Sequence, residues 1–221
     1  MLFRSKNNIL LVVDHQRRFD PFYHSLKSFI QQQGIGKIQL ANVYYGGGIA
    51  NTGSHIFDIL RLLFGEIKSL NANYSKNKSP NKKDPNLDVE VEFVNGFNCF
   101  IGALDLNNYG ICELDILGLK GRLKINLITN ETTYYKINLK KFQDYRNISE
   151  ADLPFPPSKY VFDISQGLTN MIECIKNHKI PLCGGYEGYK ALELVIACMI
   201  SAKENRKKTI PLYDDYIIRS R

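Results

Sequence analysis

Six segments between Glu66 and Leu139 alternate apolar with polar residues, and this pattern limits the fold more than any other feature of the chain. The segments read IKSLNANY, LDVEVEFV, FNCFIGALDL, GICELDILGL, RLKINLI and TTYYKINL, and the turns between them include Asn95-Gly96, Asn108-Tyr109-Gly110 and Lys120-Gly121. A period of two residues, interrupted by short turns, predicts an antiparallel meander with one face packed and the other partly open.

The residues before the meander predict two strands and two helices. Asn8 to His15 is rich in Leu and Val, as in a strand buried on both faces, and Lys37 to Tyr45 predicts a second strand. Asp20-Pro21 marks the start of one helix, because Asp caps a helix and Pro fits its first position. A second helix is expected from about Ser54 to Phe64, with a buried stripe of Ile56, Ile59, Leu60 and Leu63.

The residues after the meander predict a linker and two more helices. The linker is the proline-rich segment 153–160, LPFPPSKY, and the helices are expected from Phe162 to His178 and from about Glu187 to Lys203. The apolar stripe of the first consists of Leu168, Met171, Ile172 and Ile175, and that of the second of Ala191, Leu194, Val195, Cys198 and Ala202.

This order of elements predicts a single α+β domain over residues 1–221, in which one large, mostly antiparallel sheet carries helices on one face. A chain of this length can bury a core without disulfides. The other face of the sheet needs a cover. A second copy of the chain is the expected cover, so a homodimer through the open sheet face is predicted.

Composition excludes several classes of protein. The five cysteines are an odd number without a CxxC pair, which argues against a disulfide framework or a structural zinc site. No apolar run is long enough for a membrane span or a signal peptide, so a cytoplasmic protein is expected. The net charge is +7, but the basic residues lie in predicted loops and no nucleic-acid-binding motif accompanies them. The loop residues are Lys76, Lys78, Lys82, Lys83, Arg206 to Lys208, Arg219 and Arg221.

His55 is the candidate catalytic residue because of where it lies in its helix. It falls in the first turn of the second helix, where the positive end of the helix dipole lowers the pKa of an imidazole from about 6.5. A neutral imidazole can accept the proton that a secondary alcohol loses when its carbon loses hydride. Asn51 lies four residues earlier, so both side chains can project from one face.

A structural interpretation of the same residues stays open. His55 could help to cap the helix and pack against the sheet, and Asn51 or Ser54 could be the N-cap. Arg17 and Arg18 fit an anionic ligand, but one of them could instead pair with a carboxylate such as Asp20 or Asp58.

The stretch from Gly46 to Glu66, GGGIANTGSHIFDILRLLFGE, resembles the signature of the Gfo/Idh/MocA family of NAD(P)-dependent sugar and inositol oxidoreductases. The resemblance extends to HQRRFDPFY at 15–23, GIGKI at 34–38, LDILGLKGRL at 114–123 and the run from Gly185 to Leu212. It implies the fold of that family's C-terminal domain, which is similar to dihydrodipicolinate reductase. The segments that carry the resemblance together span nearly the whole chain.

The resemblance also implies roles for individual residues. His55 would be the catalytic acid/base, and Asn51 takes the place of an aspartate that orients the histidine in many members. Arg17 and Thr52 would line the sugar site, with His15 and Gln16 near the nicotinamide. In having Asn at position 51, the chain resembles those family members that act on nucleotide-linked sugars. The expected ligands are a sugar or nucleotide-sugar and NAD or NADP.

The cofactor-binding part of the family is not recognisable in this sequence. The family's Rossmann domain carries a GxGxxG turn and a Glu-Lys-Pro segment, and neither is present. Two functions stay open. In the first, the chain is the catalytic half of an oxidoreductase, inactive alone and completed by a separate Rossmann polypeptide. In the second, it is a sugar-binding or oligomerisation module without catalysis.

Overall fold

The computed structural model describes residues 9–107, 109–161 and 163–212. The predictions that fall on Asn8, Asn108, Phe162, Arg219 and Arg221 lie outside these residues. A short 3-10 helix at Gln16–Phe19 comes first. The α-helices are α1 (Pro21–Gln31), α2 (Thr52–Phe64), α3 (Ser165–Asn177) and α4 (Gly185–Glu204). The strands are β1 (Ile38–Tyr45), β2 (Ile67–Tyr74), β3 (Leu87–Phe93), β4 (Asn98–Ala103), β5 (Glu113–Gly118), β6 (Gly121–Asn126), β7 (Thr132–Phe142), β8 (Tyr145–Ala151) and β9 (Lys208–Thr209).

The strands of the described residues form one nine-stranded sheet in the order β8-β7-β6-β5-β1-β4-β3-β2-β9. β1 runs parallel to β4, and all other neighbours are antiparallel. The predicted α+β class with a large, mostly antiparallel sheet is confirmed. The predicted single meander is instead two meanders, β2–β4 and β5–β8, with β1 between them. Strand β8 was not predicted, whereas β9 lies in the run from Gly185 to Leu212, whose resemblance to the family implies a closing helix and a final strand.

Helix α1 begins at the predicted residues, and α2 and α4 bury most of their predicted apolar stripes. α1 begins where Asp20 accepts a hydrogen bond from the backbone N–H of Phe22 at 2.9 Å, with Pro21 in the first turn. The α2 stripe is buried against the sheet, and α4 packs on both β2 and α2. The buried residues of these two helices include Ile56, Ile59, Leu60, Leu63, Ala191, Leu194, Val195 and Cys198.

One prediction from local pattern was wrong, and one predicted apolar stripe is not covered by the described residues. Residues 9–15 form no strand, because the described sheet does not reach them. The N–H of Val13 donates to the carbonyl of Cys183 at 3.0 Å, and the carbonyl of Val13 accepts from the N–H of His15 at 2.9 Å. The apolar stripe of α3 is largely uncovered, with Leu168 51%, Ile172 48% and Ile175 56% exposed. A period of 3.6 residues indicates which face is apolar but not what covers it.

The described helices include none with the length and apolar character needed to cross a lipid bilayer. The five cysteines are all buried as free thiols. Cys198 lies on the predicted apolar stripe of α4, and Cys174 is buried on α3.

Candidate functional site

His55 is the fourth residue of α2 and lines a cavity of about 360 Å³ beside the 3-10 helix. Four of the other residues predicted for the site line the same cavity, namely Gln16, Arg17, Asn51 and Thr52. Its apolar wall was not predicted and consists of Leu106, Ile111, Cys112, Leu127 and Ile128. A larger cavity of about 740 Å³ lies at the other end of α2 and is lined by none of the predicted site residues.

His15, the remaining predicted site residue, contacts the ring of His55. The two ring centroids are 5.1 Å apart, and the rings meet edge to face at 88°. His15 is buried, and its Nδ1 has no hydrogen-bond partner among the described residues. An unpartnered polar atom at a buried position is costly, so this nitrogen marks a point where a ligand group could bind.

Burial lowers the pKa of both imidazoles below that of a free histidine. Removal from water lowers the pKa of His15 to about 4, and the nearby Arg18 guanidinium contributes to this shift. The pKa of His55 is also lowered, first by burial and then by the adjacent His15 and Arg17. The direction agrees with the sequence-based prediction, but the main cause is desolvation rather than the helix dipole. Both rings are therefore neutral at pH 7.

Arg17 and Arg18 have different surroundings. Arg18 pairs with Asp58 at 2.7 Å, and both side chains are almost fully buried. This is one of the carboxylate partners that the structural interpretation left open. Arg17 lines the cavity, where one terminal nitrogen donates to the carbonyl of Leu127, and its Nε has no partner among the described residues. Of the two cations, only Arg17 faces the cavity.

The glycine-rich turn before α2 has positive φ angles at Gly47 and Gly48, as a phosphate-binding turn could have. Its N–H groups from Gly48 to Asn51 are already hydrogen-bonded, however. Those of Ala50 and Asn51 donate to Asp84, and that of Gly48 donates to Asn86. The turn therefore offers no free cradle for the pyrophosphate of a dinucleotide.

Asn51 precedes α2 but does not cap it through its side chain. Its Nδ2 donates to the carbonyl of Gly47 at 3.4 Å, and Ser54 donates to the backbone carbonyl of Asn51 at 2.8 Å. The role of Asn51 in orienting His55 stays a prediction. The described residues contain no cluster of three His, Cys, Asp or Glu side chains suited to a metal ion.

The lowered histidine pKa values predict that the folded chain loses stability as the pH falls below about 6.5. Between about pH 6.5 and pH 4 the unfolded chain binds protons that the buried rings do not, so protonation favours unfolding. For His15 the effect levels off below its folded pKa of about 4. From pH 7 to pH 5, we expect His15 alone to account for a loss of about 1–2 kcal/mol in the free energy of unfolding.

Urea unfolding of the wild type and of His15→Gln at pH 7 and pH 5 measures this effect. The variant should have the weaker pH dependence. His178→Asn is the matched control, because His178 is exposed at the end of α3 with positive φ, which Asn tolerates. Equal pH dependence in the wild type and His15→Gln would contradict the prediction.

Comparison with known proteins places this geometry in a family. The model of the Gfo/Idh/MocA oxidoreductase family, C-terminal alpha/beta domain, matches residues 40–212. No curated protein matches the chain in sequence. Many solved structures share its fold.

Three of these structures are representative, and their low identities establish the fold alone. An NAD-binding protein from Listeria innocua has 19% identity and a TM-score of 0.70, over 93% of this chain and 68% of its own. The WlbA dehydrogenase from Bordetella pertussis, in complex with NADH and UDP-GlcNAcA, has 19% identity and a TM-score of 0.69, over 94% and 65%. Levoglucosan dehydrogenase, in complex with NADH and levoglucosan, has 17% identity and a TM-score of 0.68, over 93% and 67%.

The chain thus spans about two thirds of the length of each of these proteins. The family match covers most of the chain, and it includes α2 and every strand except part of β1. The sheet, the helices on one face and the cavity at the start of α2 all lie within or beside the matched region. The chain belongs to the Gfo/Idh/MocA oxidoreductase family, as a representative of its C-terminal alpha/beta domain.

Proposed function

We propose that this chain forms the sugar-binding and proton-transferring half of an NAD(P)-dependent oxidoreductase, with His55 as the acid/base. The observation that carries the proposal is the imidazole of His55. It lies on the wall of an open cavity and has a pKa below that of free histidine. Such a group is neutral at pH 7 and can accept a hydroxyl proton.

The residues around His55 suit a polyhydroxylated ligand. The Thr52 hydroxyl and the Asn51 amide line the same cavity and can each donate and accept a hydrogen bond. In the oxidative direction, His55 takes the proton of the reacting hydroxyl as hydride leaves the same carbon, and in the reductive direction it returns that proton. Ile111 and Leu127 give the cavity an apolar wall opposite these polar groups.

The described residues do not fit the whole cofactor. The N–H groups from Gly48 to Asn51 in the glycine-rich turn are already hydrogen-bonded, so we propose that a nucleotide-binding polypeptide, in the same chain or another, holds the phosphates. The cofactor supplies or removes the hydride when it is bound. His15 and Gln16 are the residues of this chain proposed to lie beside its nicotinamide end, because both are next to His55.

Arg17 points to a sugar that carries negative charge or a dense set of acceptors. Its Nε has no partner among the described residues, and an arginine with a free donor suits carboxylate or phosphate oxygens. One structure of similar fold binds UDP-GlcNAcA and another binds levoglucosan. We propose a sugar or nucleotide-linked sugar as the substrate here.

The uncovered stripe of α3 is the proposed docking surface for the nucleotide-binding polypeptide. Leu168, Ile172 and Ile175 are about half exposed. The neighbouring segment before His15 adds Ile9 and Leu11, which are 48% and 41% exposed. This segment continues directly into Gln16 and Arg17 at the cavity, so a domain seated on the patch would bring a cofactor next to His55. Solved structures of similar fold extend beyond the match by about a third of their length.

Polar substitution on α3 should weaken this docking without unfolding the chain. Leu168→Ser removes a half-exposed apolar group, so the free energy of unfolding of the isolated chain should change by less than about 0.5 kcal/mol. The dissociation constant for the nucleotide-binding polypeptide, measured by calorimetry, should rise about tenfold. Leu139→Ser is the matched control, because Leu139 is 93% exposed on β7. An unchanged dissociation constant for Leu168→Ser would remove α3 from the interface.

The open face of the sheet is proposed to pair with a second copy of the chain. Tyr44 on β1 and Phe100 on the adjacent β4 are 40% and 43% exposed at the centre of this face. Exposed aromatic groups on central strands are typical of an interface. Phe100→Asp is therefore expected to convert a dimer to a monomer in sedimentation equilibrium. A wild-type chain that sediments as a monomer would contradict the proposal.

We place the protein in the cytoplasm. All five cysteines are free thiols, and buried unpaired thiols suit a reducing compartment. Nicotinamide-dependent sugar chemistry is consistent with that location.

Reconstitution tests the proposed function. The chain is mixed with a Rossmann polypeptide and NAD+ or NADP+, which can accept the hydride of a sugar hydroxyl, and UDP-GlcNAcA, levoglucosan and other sugars are tried as substrates. Change in the absorbance of the reduced cofactor should require both polypeptides. Sugar binding in a thermal-shift assay without turnover in any mixture would instead support a binding module without catalysis.

A further inference from the structure

Four consecutive N–H groups in front of α2 are bound by one short segment from elsewhere in the chain. The acceptors belong to Asp84, Pro85 and Asn86, which lie between β2 and β3. The N–H of Gly48 donates to Asn86 Oδ1 at 2.9 Å and that of Ile49 to the Pro85 carbonyl at 3.0 Å. Those of Ala50 and Asn51 donate to the two oxygens of Asp84 at 2.8 and 2.9 Å. The helix that carries His55 is therefore fixed at its start from outside.

Asp84 contributes most to this contact. Its carboxylate is buried and accepts two hydrogen bonds, and bonds to a charged acceptor are the stronger kind. A Cβ at Gly48 would lie 2.2 Å from its Oδ2, so glycine is required there for the carboxylate to approach. The Asn51 side chain makes no cap hydrogen bond, and Asp84 instead binds the backbone N–H of Asn51 and that of the residue before it.

The segment that holds the helix start is itself anchored to the sheet. The side-chain amide of Asn86 donates to the carbonyls of Asn77 and Leu104 at 3.1 and 3.2 Å, and Asn77 donates to the carbonyl of Ala103 at 2.8 Å. Ala103 is the last residue of β4. The chain of contacts therefore runs from the end of β4 through Asn86 and Asp84 to the residue before α2.

We propose that Asp84 is a positioning residue of the cavity. Its carboxylate fixes the backbone that presents Asn51 and Thr52 and, one turn later, sets the place of the His55 ring against His15. The proposal rests on the proposed function for the catalytic consequence, but the placement itself is independent of it. No residue of the 84–86 segment lines the cavity, so Asp84 acts through the backbone and not on the substrate.

Asp84→Asn tests the proposal, because it keeps the size of the side chain but replaces one acceptor oxygen by an amide donor. One of the two N–H groups of Ala50 and Asn51 then loses its acceptor. The expected result is a weaker nuclear Overhauser effect between the ring protons of His15 and His55. In the reconstituted enzyme, kcat should fall about 10- to 100-fold with little change in KM, as for a small misplacement of a reacting group.

Asp115→Asn is the matched control. Asp115 is also a buried carboxylate with two hydrogen bonds, but it accepts them from Arg122 on the open face of the sheet. It should leave the contact between the His15 and His55 rings unchanged. Asn86→Ala, which removes the acceptor for Gly48 without changing charge, repeats the test if Asp84→Asn does not fold.

The possible outcomes separate this proposal from the proposed function. If the ring contact in Asp84→Asn equals that of the wild type while stability falls as in Asp115→Asn, Asp84 is merely structural and the proposal is wrong. If the ring contact is lost but no mixture of polypeptides turns over any sugar, the positioning role stands and the proposed function fails.

Discussion

His55→Ala is expected to lower the turnover of the reconstituted enzyme by about 10²- to 10⁴-fold, the usual contribution of a positioned general base. The substitution removes the ring that accepts the hydroxyl proton and leaves Thr52 and Arg17 on the cavity wall. Sugar affinity should therefore change much less than kcat. Steady-state kinetics in both directions, together with calorimetric titration of the sugar, separates the two effects.

The pH profile identifies the group. Because the base must be neutral, the oxidation rate should rise with pH and level off above the pKa of His55, which burial holds below 6.5. That acidic limb should disappear in His55→Ala and persist in the control His178→Asn. If His55→Ala keeps both the oxidation rate and the acidic limb of the pH profile, another residue transfers the proton and the proposed mechanism is wrong.

Asp58→Asn is expected to cost about 3–5 kcal/mol in the free energy of unfolding, because it leaves the Arg18 guanidinium buried without its counter-charge. A typical domain has only about 5–15 kcal/mol in total, so the variant should be close to unfolded at moderate temperature. The ion pair joins the 3-10 helix to α2, and its loss should also move His15 away from His55. Urea unfolding measures the loss of stability.

A second ion pair provides the comparison. Arg122 and Asp115 are 2.7 Å apart, but the arginine side chain is 34% exposed, so Asp115→Asn should cost no more than about 1 kcal/mol. The double substitution Arg18→Met with Asp58→Leu should recover most of the stability lost in Asp58→Asn, because the penalty comes from the unpaired buried charge. Equal costs for Asp58→Asn and Asp115→Asn would mean that burial does not set the energy of these pairs.

Local sequence signals were sufficient for much of the fold, including the helix that carries the candidate site residue His55. The pair Asp20-Pro21 predicts the start of α1, and the glycines before α2 together with its apolar stripe predict the helix that carries His55. These signals work because capping and periodicity depend on residues within one or two turns of each other.

Features that depend on contacts between residues far apart in the sequence could not be predicted. The stretch from Ser75 to Asn86 has the composition of a solvated basic loop, yet its last three residues fix the start of α2 more than thirty residues earlier. Leu127 and Cys112 form the cavity wall, and an apolar residue there is indistinguishable in sequence from any core residue. The exposure of Leu168 on α3 likewise depends on which neighbour is present.

The position of β1 between β4 and β5 governs how the chain reaches its folded state. Each meander can form from adjacent hairpins, which close only short loops. The two meanders become one sheet only when β1, which precedes both in the chain, inserts between β4 and β5. On the ribosome β1 emerges before either neighbour, with both edges unpaired. Until β4 and β5 have been synthesised, both edges of this strand can pair with another chain, a risk that ends only when its two neighbours are in place.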